Sequence, residues 1–292
     1  MNIKVKKVNA FTDSTEGGNP AGVVLDSPVL NEKQMTYVSK VLNVSETAFV
    51  FSSKKADFKT RFFTPTIEVD LCGHATIATF FTMALEKKFP DKKNMTLTQE
   101  TNVGVLPVNI EFSDDKKLER VMMHQSMPVI KDVKIDFCEV ADSLNISVDE
   151  IDDSLPKQIV STGLFTLPVC VKSFNTLKRI NPDFDKVKNI CNKIGVGSFH
   201  VFTFKTVEEK SVYHARNFPP LYGINEDPVT GTANGAVCSY LIKNRIIKNH
   251  SLICEQGDII GRSGRVFVEI DNNSIKVGGR AKTIEEKVIK FS

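Results

Sequence analysis

The first half of the chain contains Arg61-Phe-Phe-Thr-Pro65 followed by Asp70-Leu-Cys-Gly-His-Ala75. The second half contains a similar segment, Arg216-Asn-Phe-Pro-Pro220 followed by Asp227-Pro-Val-Thr-Gly-Thr-Ala233. In both copies an Arg-x-Phe-x-Pro strand leads through an acidic loop to Gly-x-Ala, which opens a mostly apolar helix. A helix without a polar face must be enclosed by other parts of the fold. The repeat therefore predicts a duplication in which each half of the chain encloses one buried helix.

Strand patterns dominate the rest of both halves, as the runs Val103 to Phe112 and Phe199 to Phe204 illustrate. Helices are fewer. One amphipathic helix is predicted after Asn31, a plausible N-cap, and an equivalent one is predicted around residues 184–194. The sequence thus predicts an α+β chain in which β-strands curl around each central helix.

The length of the chain suits two domains of ordinary size, each with its own core. We place the first domain at residues 1–116 and the second at residues 117–283. A last strand, at about residues 284–292, is expected to return to the first domain.

The composition excludes several classes of protein. The net charge of +3 comes mainly from scattered lysines, so no nucleic-acid partner is expected. No apolar run approaches membrane-spanning length, and the N-terminus has no secretory pattern, so a soluble, cytoplasmic protein is expected. The six cysteines show no Cys-x-x-Cys pairing and no histidine at metal-ligand spacing. We therefore expect reduced core thiols and no metal site.

The two predicted helix starts are suited to binding an anion. The first backbone N–H groups of a helix have no partner within the helix and carry a partial positive charge. Gly73 and Gly231 would let a ligand approach this backbone closely. Two such starts could share one substrate carboxylate. The alternative is that Gly-x-Ala is only how a tight loop enters a buried helix.

Three titratable residues near these starts are candidates for acid–base chemistry. His74 lies directly at a helix start, where the dipole favours a neutral imidazole. Asp227 lies in the loop before the second helix, where it could also be a simple loop or capping acid. Glu46 lies between an amphipathic helix and a very apolar strand, a setting that tends to raise a carboxyl pKa. The pattern around Glu46 alone favours a surface carboxylate instead.

These residues, together with Gly18-Asn-Pro-Ala-Gly-Val23, Ser45-Glu46-Thr47 and Glu255-Gln-Gly257, resemble the PhzF-like family of phenazine biosynthesis, which shares the diaminopimelate epimerase-like fold. The resemblance covers nearly the whole chain. It implies two pseudo-symmetric β-barrel-like domains, each around a central buried helix, with the active site in the cleft between them. It also implies a homodimer that acts on a small-molecule carboxylate without a cofactor.

The resemblance also implies roles for individual residues. Glu46 falls where the family has its catalytic carboxylate, which relays a proton between carbons of a dihydro-hydroxyanthranilate. His74 and Asp227 match positions that hold the substrate and assist the relay. The substrate carboxylate would be bound at the second helix start by Thr230, Gly231 and Thr232, and at the first by Gly73 and His74. The chain is therefore expected to be a cofactor-independent, proton-transferring isomerase.

Two other functions stay open on the same fold. A non-catalytic carboxylate-binding protein would use the same helix starts. An amino-acid epimerase or racemase would need two opposed cysteines, one before each helix-opening glycine. Here Cys72 occupies the first position but Thr230 the second, and a threonine hydroxyl is far too weak an acid to replace a thiol. Racemisation by two cysteines is therefore disfavoured, and Cys72 is interpreted as a packing residue.

Overall fold

The computed structural model describes residues 1–27, 30–86, 89, 93–271 and 273–291. They form two compact units, of which the first comprises Met1–His124 with Gly278–Ser292 and the second comprises Gln125–Val277. The predicted domain boundary, after residue 116, lies in the turn before the strand Leu118–Gln125. In the structure, the first unit instead ends at His124, near the end of that strand. None of the helices in the described ranges combines the length and apolar character needed to cross a bilayer.

Strands provide most of the regular structure, as the sequence predicts. They are β1 (Asn2–Ala10), β2 (Asn19–Val24), β3 (Glu46–Phe51), β4 (Phe58–Phe63), β5 (Glu68–Val69), β6 (Met95–Thr101), β7 (Gly104–Phe112), β8 (Leu118–Gln125), β9 (Val129–Asp132), β10 (Gln158–Ser161), β11 (Phe165–Cys170), β12 (Ser198–Thr203), β13 (Tyr213–Phe218), β14 (Ser251–Gln256), β15 (Gly264–Ile270), β16 (Ile275–Gly279) and β17 (Ala281–Lys290). The helices are α1 (Glu32–Leu42), α2 (Gly73–Leu85), α3 (Phe137–Ser143), α4 (Phe174–Arg179), α5 (Phe184–Ile194) and α6 (Gly231–Lys243).

The two units repeat the same order of strand pairings. In the first unit, β1–β2 is antiparallel, β2–β3 parallel, β3–β4 antiparallel, β4–β6 parallel and β6–β7 antiparallel. In the second, β10–β11, β11–β12, β12–β13, β13–β14 and β14–β15 show the same alternation. Because the two strand orders match pair by pair, the two halves of the chain share one architecture, as the repeated segment predicts. All the strands belong to one mixed sheet.

Both predicted amphipathic helices are present. Asn31 caps α1 in a capping box with Gln34, and the buried side chains of α1 include Met35, Val38 and Leu42. In the second unit, Asp183 caps α5 through the backbone N–H of Lys186, and its buried face includes Val187, Ile190 and Cys191. Each helix joins two parallel strands, which need a crossover connection.

Helices α2 and α6 are the buried helices of the repeat. All residues from Ala75 to Ala84 in α2 are buried, and α2 packs against β1, β2, β3, β7 and β17. Its threonines avoid unpaired hydroxyls because Thr76, Thr79 and Thr82 each donate to the carbonyl oxygen four residues earlier, at 2.7–2.8 Å. Helix α6 packs closely at Gly235, where an added Cβ would lie 2.6 Å from Val277 Cγ1.

The arginine of each repeat forms a bidentate ion pair with a glutamate downstream. Arg61 donates to both carboxylate oxygens of Glu68, at 2.8 and 2.5 Å. Arg216 donates to both oxygens of Glu226, at 2.9 and 2.8 Å. Each guanidinium also lies about 5 Å from the ring of the phenylalanine two residues on. The Arg-x-Phe motif therefore ties the acidic loop to the strand in both units.

Candidate active site

In the first unit, the structure brings Glu46, Cys72 and His74 together. Glu46 opens β3 directly after α1, Cys72 is the N-cap of α2, and His74 is the second residue of α2. His74 Nε2 lies 3.3 Å from Glu46 Oε2 and 3.3 Å from Ser45 Oγ. The Cys72 sulfur lies 3.5 Å from His74 Nδ1 and 3.8 Å from Nε2. A carboxylate, an imidazole and a thiol thus meet at one helix start.

These three side chains are largely removed from solvent. The Glu46 side chain is 19% exposed and that of His74 is 13% exposed, while Cys72 is buried. The pattern-based expectation of a surface carboxylate at Glu46 is therefore wrong. Among the described residues, Glu46 Oε2 has no hydrogen-bond partner of good geometry, although His74 Nε2 lies 3.3 Å from it.

The pKa shifts of Glu46 and His74 are both opposite to those predicted. Burial raises the pKa of Glu46, but its neighbours His74, Ser45 and Cys72 together lower it by more, and the net pKa lies below the ordinary value. Burial lowers the pKa of His74, but Cys72 and Glu46 raise it by more, and the net pKa lies well above its usual range. The directions of the two shifts favour a pair formed by a carboxylate and an imidazolium.

Burial disfavours the thiolate form of Cys72. Burial raises its pKa, and the negative charge of Glu46 adds to the effect. The interpretation of Cys72 as a buried residue agrees with its exposure of 7%. Its sulfur nevertheless faces the His74 ring, so it belongs to the site as well as to the core.

The starts of α2 and α6 differ from those of the other helices in the described ranges. Helices α1, α3, α4 and α5 each have a side-chain oxygen that accepts a backbone N–H at the first turn, from Asn31, Asp136, Ser173 and Asp183. At Cys72 and Thr230, which precede α2 and α6, no side chain makes this capping bond. An uncapped helix start offers its first N–H groups to an anion. The two helices of the repeat are thus the ones suited to bind a carboxylate.

Gly73 leaves open space above the start of α2. A Cβ built on Gly73 would meet no heavy atom of the described residues within 4 Å, and the φ of Gly73 is not in the left-handed region. Neither packing nor backbone conformation therefore requires glycine here. Close approach of a ligand to the backbone is the remaining physical reason for glycine at this position.

Gly73→Ala should therefore separate function from stability. We expect the free energy of unfolding to change by less than about 1 kcal/mol, because the added methyl group meets nothing and alanine is a good helix former. We expect ligand binding at the helix start to weaken, because the methyl group occupies the approach to the N–H groups. Chemical denaturation and ligand titration of the same preparation measure the two effects. A marked loss of stability, or unchanged binding, would contradict this interpretation. Gly257→Ala is the contrasting control, since Gly257 has φ +90° and an added Cβ would lie 2.3 Å from Arg262 O.

In the second unit, Asp227 and Thr230 are joined at the start of α6. The Thr230 hydroxyl donates to Asp227 Oδ2, and the Asp227 N–H donates to Asn217 O of β13 at 3.0 Å. Asp227 is half-buried. Gly231 and Thr232 follow as the first residues of α6, and the Thr232 carbonyl accepts a hydrogen bond from Thr162 Oγ1 at 3.2 Å. The predicted site residues of the second half therefore lie side by side.

Gln256, at the end of β14, fixes this loop to the sheet and was missed by the sequence reasoning. Its amide nitrogen donates to Asp227 O at 2.8 Å and to Thr230 Oγ1 at 3.2 Å. Its amide oxygen accepts from the Thr230 N–H at 3.1 Å and from Asn234 Nδ2 at 2.8 Å. Gln256 is 1% exposed. It holds the uncapped helix start in place, and only its membership of the Glu255-Gln-Gly257 motif pointed to it.

Glu255, next to Gln256, belongs to a buried ionic cluster that ties β14 to its neighbours. Its carboxylate lies 2.8 Å from His214 Nδ1 and accepts the N–H groups of Val207 and Glu208. The cluster continues through Asp258 and Arg265 to the carboxylate of Glu208. Burial raises the pKa of Glu255, but the hydrogen bonds from His214 and the two amides lower it to about 2.

The low pKa of Glu255 predicts a pH-dependent contribution to stability. The ordinary value for a glutamate is 4.5 and the folded value is about 2, so the stabilisation is fully present above pH 4.5 and is lost as the pH falls towards 2. Within that window the wild type should lose about 1.4 kcal/mol per pH unit more than Glu255→Gln. Denaturant unfolding of both proteins between pH 6 and about 3 measures the two slopes. Equal slopes would show that this carboxylate is not preferentially ionised in the folded state.

Comparison with known proteins adds to this geometry. Residues 8–287 match the protein family PhzC-PhzF, described as phenazine biosynthesis-like protein. The chain is similar to the uncharacterized isomerase YfhB of Bacillus subtilis (strain 168), with 36% identity over 293 residues and 99% of each protein covered. It is also similar to the Bacillus anthracis phenazine biosynthesis protein of the PhzF family, with 34% identity and a TM-score of 0.90 over 100% of both chains.

The fold extends beyond these relatives. A hydroxyproline epimerase from Agrobacterium vitis aligns with 99% of this chain and 92% of its own, at a TM-score of 0.64 and 11% identity. At that identity the match shows the fold alone. The α+β architecture of a mixed sheet with few helices is therefore one that epimerases also have.

Proposed function

Because the chain belongs to the phenazine biosynthesis-like PhzC-PhzF family, we propose that it is an isomerase that moves a proton between two carbons of a small unsaturated carboxylic acid. Family members such as YfhB are named isomerases, which supports the reaction class. The observation that carries the proposal is the contact between Glu46 Oε2 and His74 Nε2, 3.3 Å apart at the open, uncapped start of α2.

In the proposed reaction, Glu46 is the base and the proton carrier. The ionised Glu46 takes a proton from a carbon of the conjugated acid, and the electron pair of the broken C–H bond moves into the conjugated system. The protonated Glu46 then returns the proton to a different carbon, so that the double bonds are shifted and the formula is unchanged. The lowered pKa of Glu46 weakens it as a base. Water exclusion by the bound substrate would raise that pKa towards the value that proton transfer needs.

His74 would stabilise the charge that develops on the substrate. Its raised pKa favours the imidazolium form, which can donate a hydrogen bond to an oxygen of the anionic intermediate. The N–H groups at Gly73, His74, Gly231 and Thr232 are proposed to bind the substrate carboxylate, with Asp227 and Thr230 as polar contacts. A dihydro-hydroxyanthranilate-like acid has both the carboxylate and the conjugation that these roles require.

Further features are part of the same proposal. We propose that the protein acts as a homodimer in the cytoplasm without a resident cofactor, and that the strands of each unit close in a barrel-like manner around its helix. The complete burial of Ala75 to Ala84 in α2 supports enclosure of the first helix. Thr230, whose hydroxyl is bound to Asp227, replaces the second cysteine that a two-cysteine racemase would need.

The test is turnover and binding across a panel of small cyclic and unsaturated carboxylic acids. We expect one or more acids to raise the melting temperature and to be converted into an isomer of the same mass, detected by NMR. Stabilisation without conversion across the panel would instead identify a non-catalytic carboxylate-binding protein. Inversion of a chiral amino acid that is lost in Cys72→Ala would identify an epimerase and contradict the proposal.

A further inference from the structure

We propose that Glu46, Cys72 and His74 also form a site for Zn²⁺, which blocks the active site when it binds. Among the described residues, these three offer an oxygen, a sulfur and a nitrogen that all lie within 4.8 Å of one another. Zinc takes this kind of mixed set with three protein ligands and one open position. Because the ligands come from β3 and from the start of α2, no spacing in the sequence indicates them.

The separations of the ligand atoms fit a tetrahedral ion. Zinc binds nitrogen and oxygen at about 2.0–2.2 Å and sulfur at about 2.3 Å, which places ligand atoms of a tetrahedron about 3.3–3.6 Å apart. His74 Nε2 and Glu46 Oε2 are 3.3 Å apart, and His74 Nε2 and the Cys72 sulfur are 3.8 Å apart. These two separations lie within a few tenths of an ångström of the tetrahedral values, and the third, between the Glu46 oxygen and the Cys72 sulfur, is at most 4.8 Å.

Charge and access both favour the ion. On binding, the Cys72 thiol gives up its proton to solvent and a sulfur–zinc bond forms, and any proton on the coordinating His74 nitrogen leaves as well. A thiolate and a carboxylate then neutralise the two positive charges, which a partly buried site requires. Glu46 Oε2 has no hydrogen-bond partner of good geometry among the described residues. The open space above Gly73 gives the ion a path of entry.

The choice of metal follows from the ligands. A thiol and an imidazole suit Zn²⁺ and Co²⁺, whereas Mg²⁺ and Ca²⁺ prefer oxygen ligands. Zinc bound here would occupy the lone pair with which Glu46 takes a proton. Inhibition therefore rests on the proposed function, whereas binding of the ion does not.

The test is titration of the chelator-treated protein with Zn²⁺ by calorimetry and with Co²⁺ by absorption spectroscopy, without any substrate. We expect one ion per chain, a thiolate-to-Co²⁺ charge-transfer band, and no heat with Mg²⁺. Cys72→Ser and His74→Asn should each weaken binding at least about 10–100-fold, because loss of a group that merely hydrogen-bonds to a metal ligand already has an effect of that size. Cys138→Ser and His250→Asn, which change an exposed cysteine and an exposed histidine, should leave binding unchanged.

Three results would overturn the proposal. They are the absence of a charge-transfer band, zinc affinity that survives in both Cys72→Ser and His74→Asn, and affinity that is lost in Cys138→Ser or His250→Asn. If His74→Asn fails to fold, the zinc affinity of Cys72→Ser still tests the proposal, since this substitution exchanges only sulfur for oxygen. Zinc that binds as expected but leaves a demonstrated turnover unchanged would contradict the inhibitory role alone. Absence of isomerase activity with zinc bound as expected would contradict only the proposed function.

Discussion

Glu46→Gln should lower kcat by about 10²–10⁴-fold on any acid that the wild type isomerises, because that is the usual effect of a positioned acid–base group. Glutamine has nearly the same shape but can neither accept nor return the proton. Binding of the acid should be much less affected, since the carboxylate is proposed to bind at the helix starts. Steady-state kinetics that separate kcat from KM measure the effect.

The matched control is Glu100→Gln. Glu100 of β6 is also a largely buried carboxylate, with 18% side-chain exposure against 19% for Glu46. It pairs with Lys59 and Ser53 and lies outside the Glu46–Cys72–His74 group. We expect it to retain wild-type turnover. Equal turnover of Glu46→Gln and the wild type would mean that another group carries the proton.

Arg216→Met should destabilise the protein by about 3–5 kcal/mol, the usual effect of removing one partner of a buried ion pair. The Arg216 side chain is 8% exposed and pairs with Glu226. It also donates to the carbonyl oxygens of Leu177 and Ile180, at 3.1 and 2.7 Å. The substitution leaves the carboxylate and both carbonyl groups without this donor. Denaturant unfolding at pH 7 measures the loss.

Arg61→Met is the matched control because it changes the same position of the first repeat. Arg61 makes the same bidentate pair, but its side chain is 24% exposed, and its additional partner Glu32 is 73% exposed. Exposed ion pairs contribute about 0–1 kcal/mol, so a loss of about 1 kcal/mol is expected. Losses of similar size in both variants would show that burial does not set the strength of these pairs.

The repeated segment predicted the fold well because its signals are local. An apolar run predicts a buried helix, and Asn31 with its following apolar positions predicts α1, without knowledge of distant contacts. The roles of the two arginines could not be predicted in the same way. Glu68 follows Arg61 at a different spacing from that between Arg216 and Glu226, so the repeat does not align the acids. The partner is decided by the course of each loop.

The site was predicted less completely because its properties depend on distances. The sequence indicated Glu46 and His74 separately, but their 3.3 Å separation and the adjacent Cys72 reverse both expected pKa shifts. Gln256 carries no local signal beyond its motif, since a glutamine in a strand can face either side of a sheet. Its four hydrogen bonds to the loop before α6 and to Asn234 become visible only in the folded chain.

The central claim is that Glu46 moves a proton between carbons of a small carboxylic acid. Its most direct test is the rate at which solvent deuterium appears on carbon when the wild type and Glu46→Gln act in deuterated water on an acid that the wild type isomerises. We expect the wild type to place deuterium on the carbon that gains the proton, and Glu46→Gln to do so at least about 100-fold more slowly. Equal rates of incorporation in the two proteins would contradict the claim.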